Sequence, residues 1–320
     1  MKIDISQTES DEIFNDIIFD YVESKKLSIL NNPKGIILGG QPGSGKSYLK
    51  EEVIQEFNES FIFISTDDLR VYHPAYDSLQ QNPETVQNAA NLVNPYASAW
   101  TKKLIKYCIE NKYNLIIDST LGGDVQANYD TIEMFINNGY QVHFRVMSIP
   151  SIISKLSIFL RYETQLAKEG FARWTLMKDH DSRFEALETN LLQISSAYEL
   201  NSLKFYERVF DDSITIGIEC VESLSKKDMK DWRGFESSRE LTLDKFPYLI
   251  NTINTIGNKI QETGRNKLDF ETFIQEDLSF LQDFEIEIEK LSPYIIELMK
   301  VKQTSPMNDD SNEIQEFSNS

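Results

Sequence analysis

Apolar positions along the chain follow two rhythms. Ile13, Ile17, Ile18, Tyr21 and Val22 share one face of a helix within residues 10–30, and Asn31-Asn32-Pro33 ends it. Short β-rich runs follow at 35–39, 61–65, 114–117, 142–149 and, more weakly, 203–210. After them come stretches of helical spacing at 48–57, 96–110, 128–137, 151–168 and 183–198. Strands that alternate with helices build parallel βαβ units, so the pattern predicts an α/β fold: a doubly wound, mostly parallel sheet flanked by helices. From about residue 222 the strand signals stop. Helical patterns at 243–260, 270–281 and 284–299 follow, the first with an apolar stripe of Phe246, Leu249, Ile250, Ile253, Ile256 and Ile260. Residues 303–320 are polar and acidic and read as a disordered tail. The expected organisation is therefore an α/β domain over 1–221, a C-terminal helical extension over 222–302, and the tail.

Composition narrows the function. The 320 residues fit two domains at about 150 residues each. A net charge of −19 and a pI near 4.6 argue against a general nucleic-acid binder, which needs a basic face to meet phosphates. No apolar run approaches the roughly 20 residues that cross a bilayer, and the opening Met-Lys-Ile-Asp-Ile-Ser has no signal-peptide character. The expectation is a cytoplasmic protein without a membrane or nucleic-acid partner. Cys108 and Cys220 have no metal-ligand spacing around them and read as unlinked buried thiols.

The strongest chemical signal is Gly40-Gln41-Pro42-Gly43-Ser44-Gly45-Lys46-Ser47, between an apolar strand and a helical stretch. That context marks a phosphate-binding loop. Its glycines let backbone N–H groups turn inward around phosphates, and the following helix adds the positive end of its dipole. Lys46 can reach the β- and γ-phosphates of ATP, and the Ser47 hydroxyl can ligate Mg²⁺. Asp118 ends an apolar strand, where a carboxylate holds the magnesium or its water shell; the plainer reading is a polar turn residue. Asn266-Lys267-Leu268-Asp269 spells a guanine-reading motif, but no apolar strand precedes it. Leu121 also stands where a GTPase switch has glycine, so ATP is favoured over GTP. The fold expectation sharpens to a P-loop kinase.

Phe61-Ile62-Phe63-Ile64-Ser65-Thr66-Asp67-Asp68-Leu69-Arg70, with His73-Pro74 and Tyr76 behind it, combines with the phosphate loop into a pattern that resembles the zeta-toxin family of toxin–antitoxin kinases. Asp118-Ser119-Thr120 looks like that family's strand ending in Glu-Gly-Thr. Arg161-Tyr162-Glu163-Thr164 and Ala172-Arg173 look like its two arginine segments. The resemblance runs from about residue 10 to about 210. It implies transfer of the ATP γ-phosphate to the 3′-hydroxyl of UDP-N-acetylglucosamine, which blocks cell-wall synthesis, and it implies an antitoxin partner.

Asp67, just past the second strand, is placed to take a proton from an attacking hydroxyl, with Asp68 as second choice; both also suit helix capping. Arg161 and Arg173 can grip transferring phosphate oxygens. Arg70, Asp118 and Thr120 are the expected substrate contacts. His73, His143 and His180 read as structural. The pattern departs from the family at Lys102, where an ungapped count places an acidic substrate ligand, at the shorter acid Asp118, and at Leu121-Gly122-Gly123. These departures leave open another small-molecule acceptor, such as a dinucleotide or an antibiotic. A nucleotide-binding interaction protein is the reading from a different class. The helical extension reads as a buttress, a docking surface or a cis-acting inhibitory module.

Overall fold

A computed structural model describes residues 3–25, 27, 29–82, 84–86, 88–170, 172, 174–211, 214–224, 232–263, 267–278, 281 and 289–301. Arg173, Asn266 and the tail 303–320 lie outside the described residues. The chain divides into two compact units, 1–249 and 250–320.

The first unit is built on β1 (Lys34–Gly39), β2 (Ile62–Ile64), β3 (Leu115–Asp118), β4 (Gln141–Met147), β5 (Ser202–Asp211) and β6 (Ile214–Leu224). They form one sheet in the order β2-β3-β1-β4-β5-β6. Every pairing is parallel except β5 with β6. β1 is central, with Ile37 opposite Ile117 on one side and Phe144 on the other. From β1 the chain crosses β3 to reach β2, then returns past β1 to β4. The crevice at such a reversal, outside the carboxyl ends of the strands, is where open α/β sheets bind ligands.

Helices cover both faces, so the central strands are apolar on both sides. On one face Ile37, Ile64, Ile117 and Phe144 pack with Trp100 and Leu104 of the long helix α5 (Ala89–Glu110). On the other, Ile36, Leu38 and Ile116 pack with Leu49 and Val53 of the helix after the phosphate loop and with Ile153. The α/β expectation holds. α5 starts at Ala89 rather than 96 and carries Pro95 inside.

The sequence pattern missed β6. It crosses position 222, where strand signals had stopped, and forms the antiparallel edge of the sheet. In the second unit, residues 284–288 of the pattern at 284–299 lie outside the described residues; Glu289 and Lys290 form a turn, and a helix runs from Pro293 to Val301. Proline suits that first helical position because its missing N–H is not needed there. Among the described residues, no helix is long and apolar enough to cross a membrane.

Candidate active site

Helix α2 (Lys46–Phe57) starts just after the loop that follows β1, and the loop's shape depends on its glycines. Gly40, Gly43 and Gly45 have φ of 137°, 78° and 96°, which L side chains rarely adopt. Gly43 is also pinned by space, since a Cβ there would lie 2.1 Å from the backbone oxygen of Ser154. The side chains of Gln41 and Ser44 are fully buried. Gln41 Nε2 donates to Ser154 Oγ at 3.1 Å and to the Ile149 carbonyl at 3.3 Å. These two residues brace the loop from behind, so their part in holding a phosphate falls to the backbone. No side chain caps α2 at Gly45, which leaves the positive end of that helix facing the cleft.

The cleft has a volume near 540 Å³ and brings together Lys46, Ser47, Asp67, Asp118, Thr120 and Arg161. Lys46 Nζ donates to the Gly40 carbonyl at 2.9 Å, spanning its own loop. Asp118 ends β3, and its Oδ2 accepts from Ser65 Oγ at 3.3 Å. The Thr120 carbonyl accepts from Gly40 N at 3.3 Å, and Ser119 N donates to Leu38 O at 3.1 Å. These bonds extend the β1–β3 ladder to the loop and fix Asp118 and Thr120 against it.

Asp67 lies on the short helix α3 (Thr66–Leu69), half exposed, with Oδ1 2.8 Å from Arg70 Nη1. Arg70 is buried, stands apart from the cleft lining and donates from Nη2 to Asn94 Oδ1 at 2.9 Å. Asp68, next to Asp67, is exposed over the residue as a whole. Burial first, then the charges of Asp67 and Asp118, push its carboxyl above the usual range. Arg161 projects from α7 (Ser151–Glu169) and donates from Nη2 to Thr175 Oγ1 at 3.1 Å.

Two departures from the family pattern fall outside the cleft. Lys102 is exposed on α5, whereas its neighbour Thr101 turns inward and donates to Thr66 Oγ1 at 3.1 Å. Adjacent helical residues are about 100° apart in azimuth, so Lys102 and Thr101 face different sides of the helix. Leu121 is fully buried against Gly39 and so packs in the core. The histidines are structural in their contacts. His73 Nδ1 accepts from Ala75 N, His143 bonds Ser202, and His180, wholly buried, joins Ser154 to Asp181 behind the loop. Cys108 is buried as expected, but Cys220 is exposed because the edge strand β6 leaves it uncovered.

Sequence reasoning missed Arg208. It stands on β5 in the cleft wall, and its guanidinium reaches Ser157 on α7, Thr215 on β6 and Tyr248. Its only sequence signal was a basic residue near the end of a weak strand.

Fold and site together define a kinase-like P-loop protein. The sequence profile of the zeta-toxin family matches residues 20–215, and the chain belongs to that family. It is 28% identical over 285 residues to Toxin zeta of Streptococcus pyogenes, covering 88% of this chain and 93% of that one. With Toxin zeta of Enterococcus hirae the identity is 31% over 195 residues, 61% of this chain and 66% of the other. The toxin–antitoxin system PezAT of Streptococcus pneumoniae supplies a solved structure that shares the fold. Its TM-score is 0.65 at 20% identity, covering 82% of this chain and 98% of that one.

Proposed function

We propose that the protein transfers the γ-phosphate of ATP to a hydroxyl of a nucleotide sugar such as UDP-N-acetylglucosamine. The observation that carries this reading is that Lys46, Asp67 and Arg161 line one cleft together with the phosphate loop. The loop and Lys46 hold the β- and γ-phosphates. Asp67 accepts the proton of the acceptor hydroxyl as its oxygen bonds to the γ-phosphorus. The bond from that phosphorus to the bridging oxygen breaks, and ADP leaves. Arg161 offsets the charge on the transferring oxygens, and Arg173 is assigned the same role from its sequence context. Thr120 and Asp118 flank the acceptor side. Arg70 serves this reading by holding Asp67.

Ser47 and Asp118 supply a hydroxyl and a carboxylate to the same cleft, the hard oxygen donors that suit Mg²⁺ beside substrate phosphates. An ion held there would supply positive charge that offsets the charge of the phosphates. The departures at Lys102 and Leu121, which pointed toward another acceptor, lie away from the cleft and so weigh less.

The family and the PezAT likeness also support a role as the toxin of a toxin–antitoxin pair, with an antitoxin protein as partner. The deciding experiment is incubation with γ-labelled ATP, Mg²⁺ and a panel of nucleotide sugars and dinucleotides, with mass analysis of products. Phosphorylated UDP-N-acetylglucosamine is the expected result. Label on a dinucleotide alone would replace the acceptor, and tight ATP binding without transfer to any metabolite would overturn the kinase reading.

A further inference from the structure

Arg208 lies two positions beyond Tyr206, the last residue of β5 paired with β4. It is 8% exposed, and among the described residues every hydrogen bond its side chain makes goes to a neutral hydroxyl. Nε donates to Thr215 Oγ1 at 2.9 Å, Nη1 to Ser157 Oγ at 2.7 Å and Nη2 to Tyr248 OH at 2.8 Å; Nη2 also contacts Thr215 Oγ1. The rings of Phe210 and Tyr248 lie 5.1 and 5.2 Å from the guanidinium carbon. Among the described residues, no carboxylate lies within ion-pair distance of it. Hydroxyl dipoles and ring faces compensate a buried guanidinium only in part, because a full charge taken out of water needs an opposite charge. Among the described residues, the other buried basic side chains have one, whereas the partly exposed Arg239 bonds the Phe184 carbonyl instead. Arg145 has Glu56, Lys155 has Asp181 and Lys245 has Glu207.

The position of Arg208 indicates where its counter-charge comes from. Its stem runs along the phosphate loop, so that a Cβ on Gly45 would lie 3.3 Å from Arg208 Cδ. It also lines the same cleft as Lys46. Ser157, its partner on α7, stands one helical turn before Arg161, on the same side of that helix.

We infer that Arg208 is a positioning residue for the phosphate donor: its charge is balanced by the polyphosphate of the bound nucleotide, and its bond to Ser157 holds the helix that carries Arg161. Its place beside Gly45, rather than beside Asp67, assigns it to the donor and not to the acceptor. The inference rests on the ATP reading above and deepens it. The protein tolerates a poorly compensated buried charge because the ligand supplies the opposite one.

The test is a set of dissociation constants for adenosine, AMP, ADP and ATP, measured on wild type, Arg208→Gln and Arg208→Lys, with melting curves in the absence of nucleotide. The loss in Arg208→Gln should grow with phosphate number, from less than about twofold for adenosine to roughly tenfold or more for ATP, the scale of one charge-assisted contact. Arg208→Lys, which keeps the charge, should hold ATP affinity within about threefold. Melting without nucleotide should change little in either variant, while the rise that ATP produces shrinks in Arg208→Gln. Equal losses on all four ligands would mean that Arg208 only supports the fold and would overturn the inference. So would unchanged ATP binding in Arg208→Gln. If Arg208→Gln does not fold, Arg208→Met, which keeps the length of the stem and removes the charge, decides by the same comparison of adenosine with ATP. A wild type that binds no ATP sinks the kinase reading itself, an outcome distinct from a wild type that binds ATP and an insensitive variant.

Discussion

Asp67 and Arg70 stand three residues apart across one turn of chain and share an ion pair, Oδ1 to Nη1 at 2.8 Å. The aspartate is half exposed in the cleft, whereas the arginine is buried and anchored to Asn94 on α5. The half-exposed acid is thus oriented by a buried arginine. Asn94 in turn donates to Ser98 Oγ at 3.3 Å, so the orientation traces back to a long, well-packed helix.

With Asp67 as the proposed base, this relay is expected to separate chemistry from nucleotide binding. Asp67→Asn keeps the shape but cannot take a proton, and its kcat is expected to fall about 10²–10⁴-fold, the usual share of a general base. Arg70→Lys loses the planar fork and is expected to lower kcat about tenfold. Both should leave the ATP dissociation constant within about twofold, because neither residue belongs to the phosphate loop. Calorimetric ATP titration beside the transfer assay checks this. Loss of ATP binding in Arg70→Lys would mean that the relay supports the loop as well.

Gly43 gives the opposite separation. An alanine there meets both a φ of 78° and a backbone oxygen 2.1 Å from its Cβ. Backbone cannot swing aside as a side chain does, so the loop and the first turn of α7 must part. Gly43→Ala is expected to lose ATP binding at least tenfold and to lower stability by about 1–3 kcal/mol. Nucleotide titration and urea unfolding measure the two effects. An alanine variant with wild-type affinity would show that the loop is looser than its contacts indicate.

Local features of the site were legible before the structure. The strand rhythm of Ile36-Ile37-Leu38, the glycine spacing and the acids after Ile64 and Ile117 each report on their own neighbourhood. What was not legible depends on distant segments meeting. Arg208 acquires meaning only when β5, β6, α7 and Tyr248 converge on Gly45. The β6 strand hid because its alternation, Ile214-Thr215-Ile216-Gly217-Ile218, sits at an edge; Ile214 and Ile216 are each 59% exposed, and a glycine interrupts the run. An ungapped count to Lys102 fixes a turn of helix but not its azimuth, and that side chain is exposed outside the cleft.

Behind the cleft, Arg145 is wholly buried in β4 and forks onto Glu56, Nε to Oε2 at 2.8 Å and Nη2 to Oε1 at 2.7 Å. Burial alone would raise the Glu56 carboxyl, but Arg145 and Lys204 overcome it and hold it below the usual range. A depressed carboxylate adds stability above its ordinary pKa and loses it as pH falls through the folded value. Glu56→Gln leaves Arg145 buried without its counter-charge. The expected cost is about 2–3 kcal/mol at neutral pH, less than for a fully enclosed pair because Glu56 is partly exposed. Urea midpoints at pH 7 check it, and a cost below about 0.5 kcal/mol would rank the pair with ordinary surface bridges.

His143, on the same strand, sets the response to mild acid. Burial first, then the neighbouring Arg145 charge, lower its pKa from 6.5 to about 4, so the folded protein holds it neutral. In the unfolded chain it binds a proton near pH 6.5. Between about pH 6.5 and 4 the unfolded state therefore carries the extra proton, and stability falls with pH by up to about 1.4 kcal/mol per unit from this one group. Its Nδ1 lies 2.8 Å from Ser202 Oγ, a contact that glutamine can reproduce without titrating. His143→Gln is thus expected to flatten the decline between pH 6.5 and 4.5, leaving the carboxylate-driven loss at lower pH in place. Unfolding free energies at half-unit pH steps measure the difference. Parallel curves for wild type and variant across that window would mean that His143 takes up its proton in the folded state, and that the buried strand admits the charge.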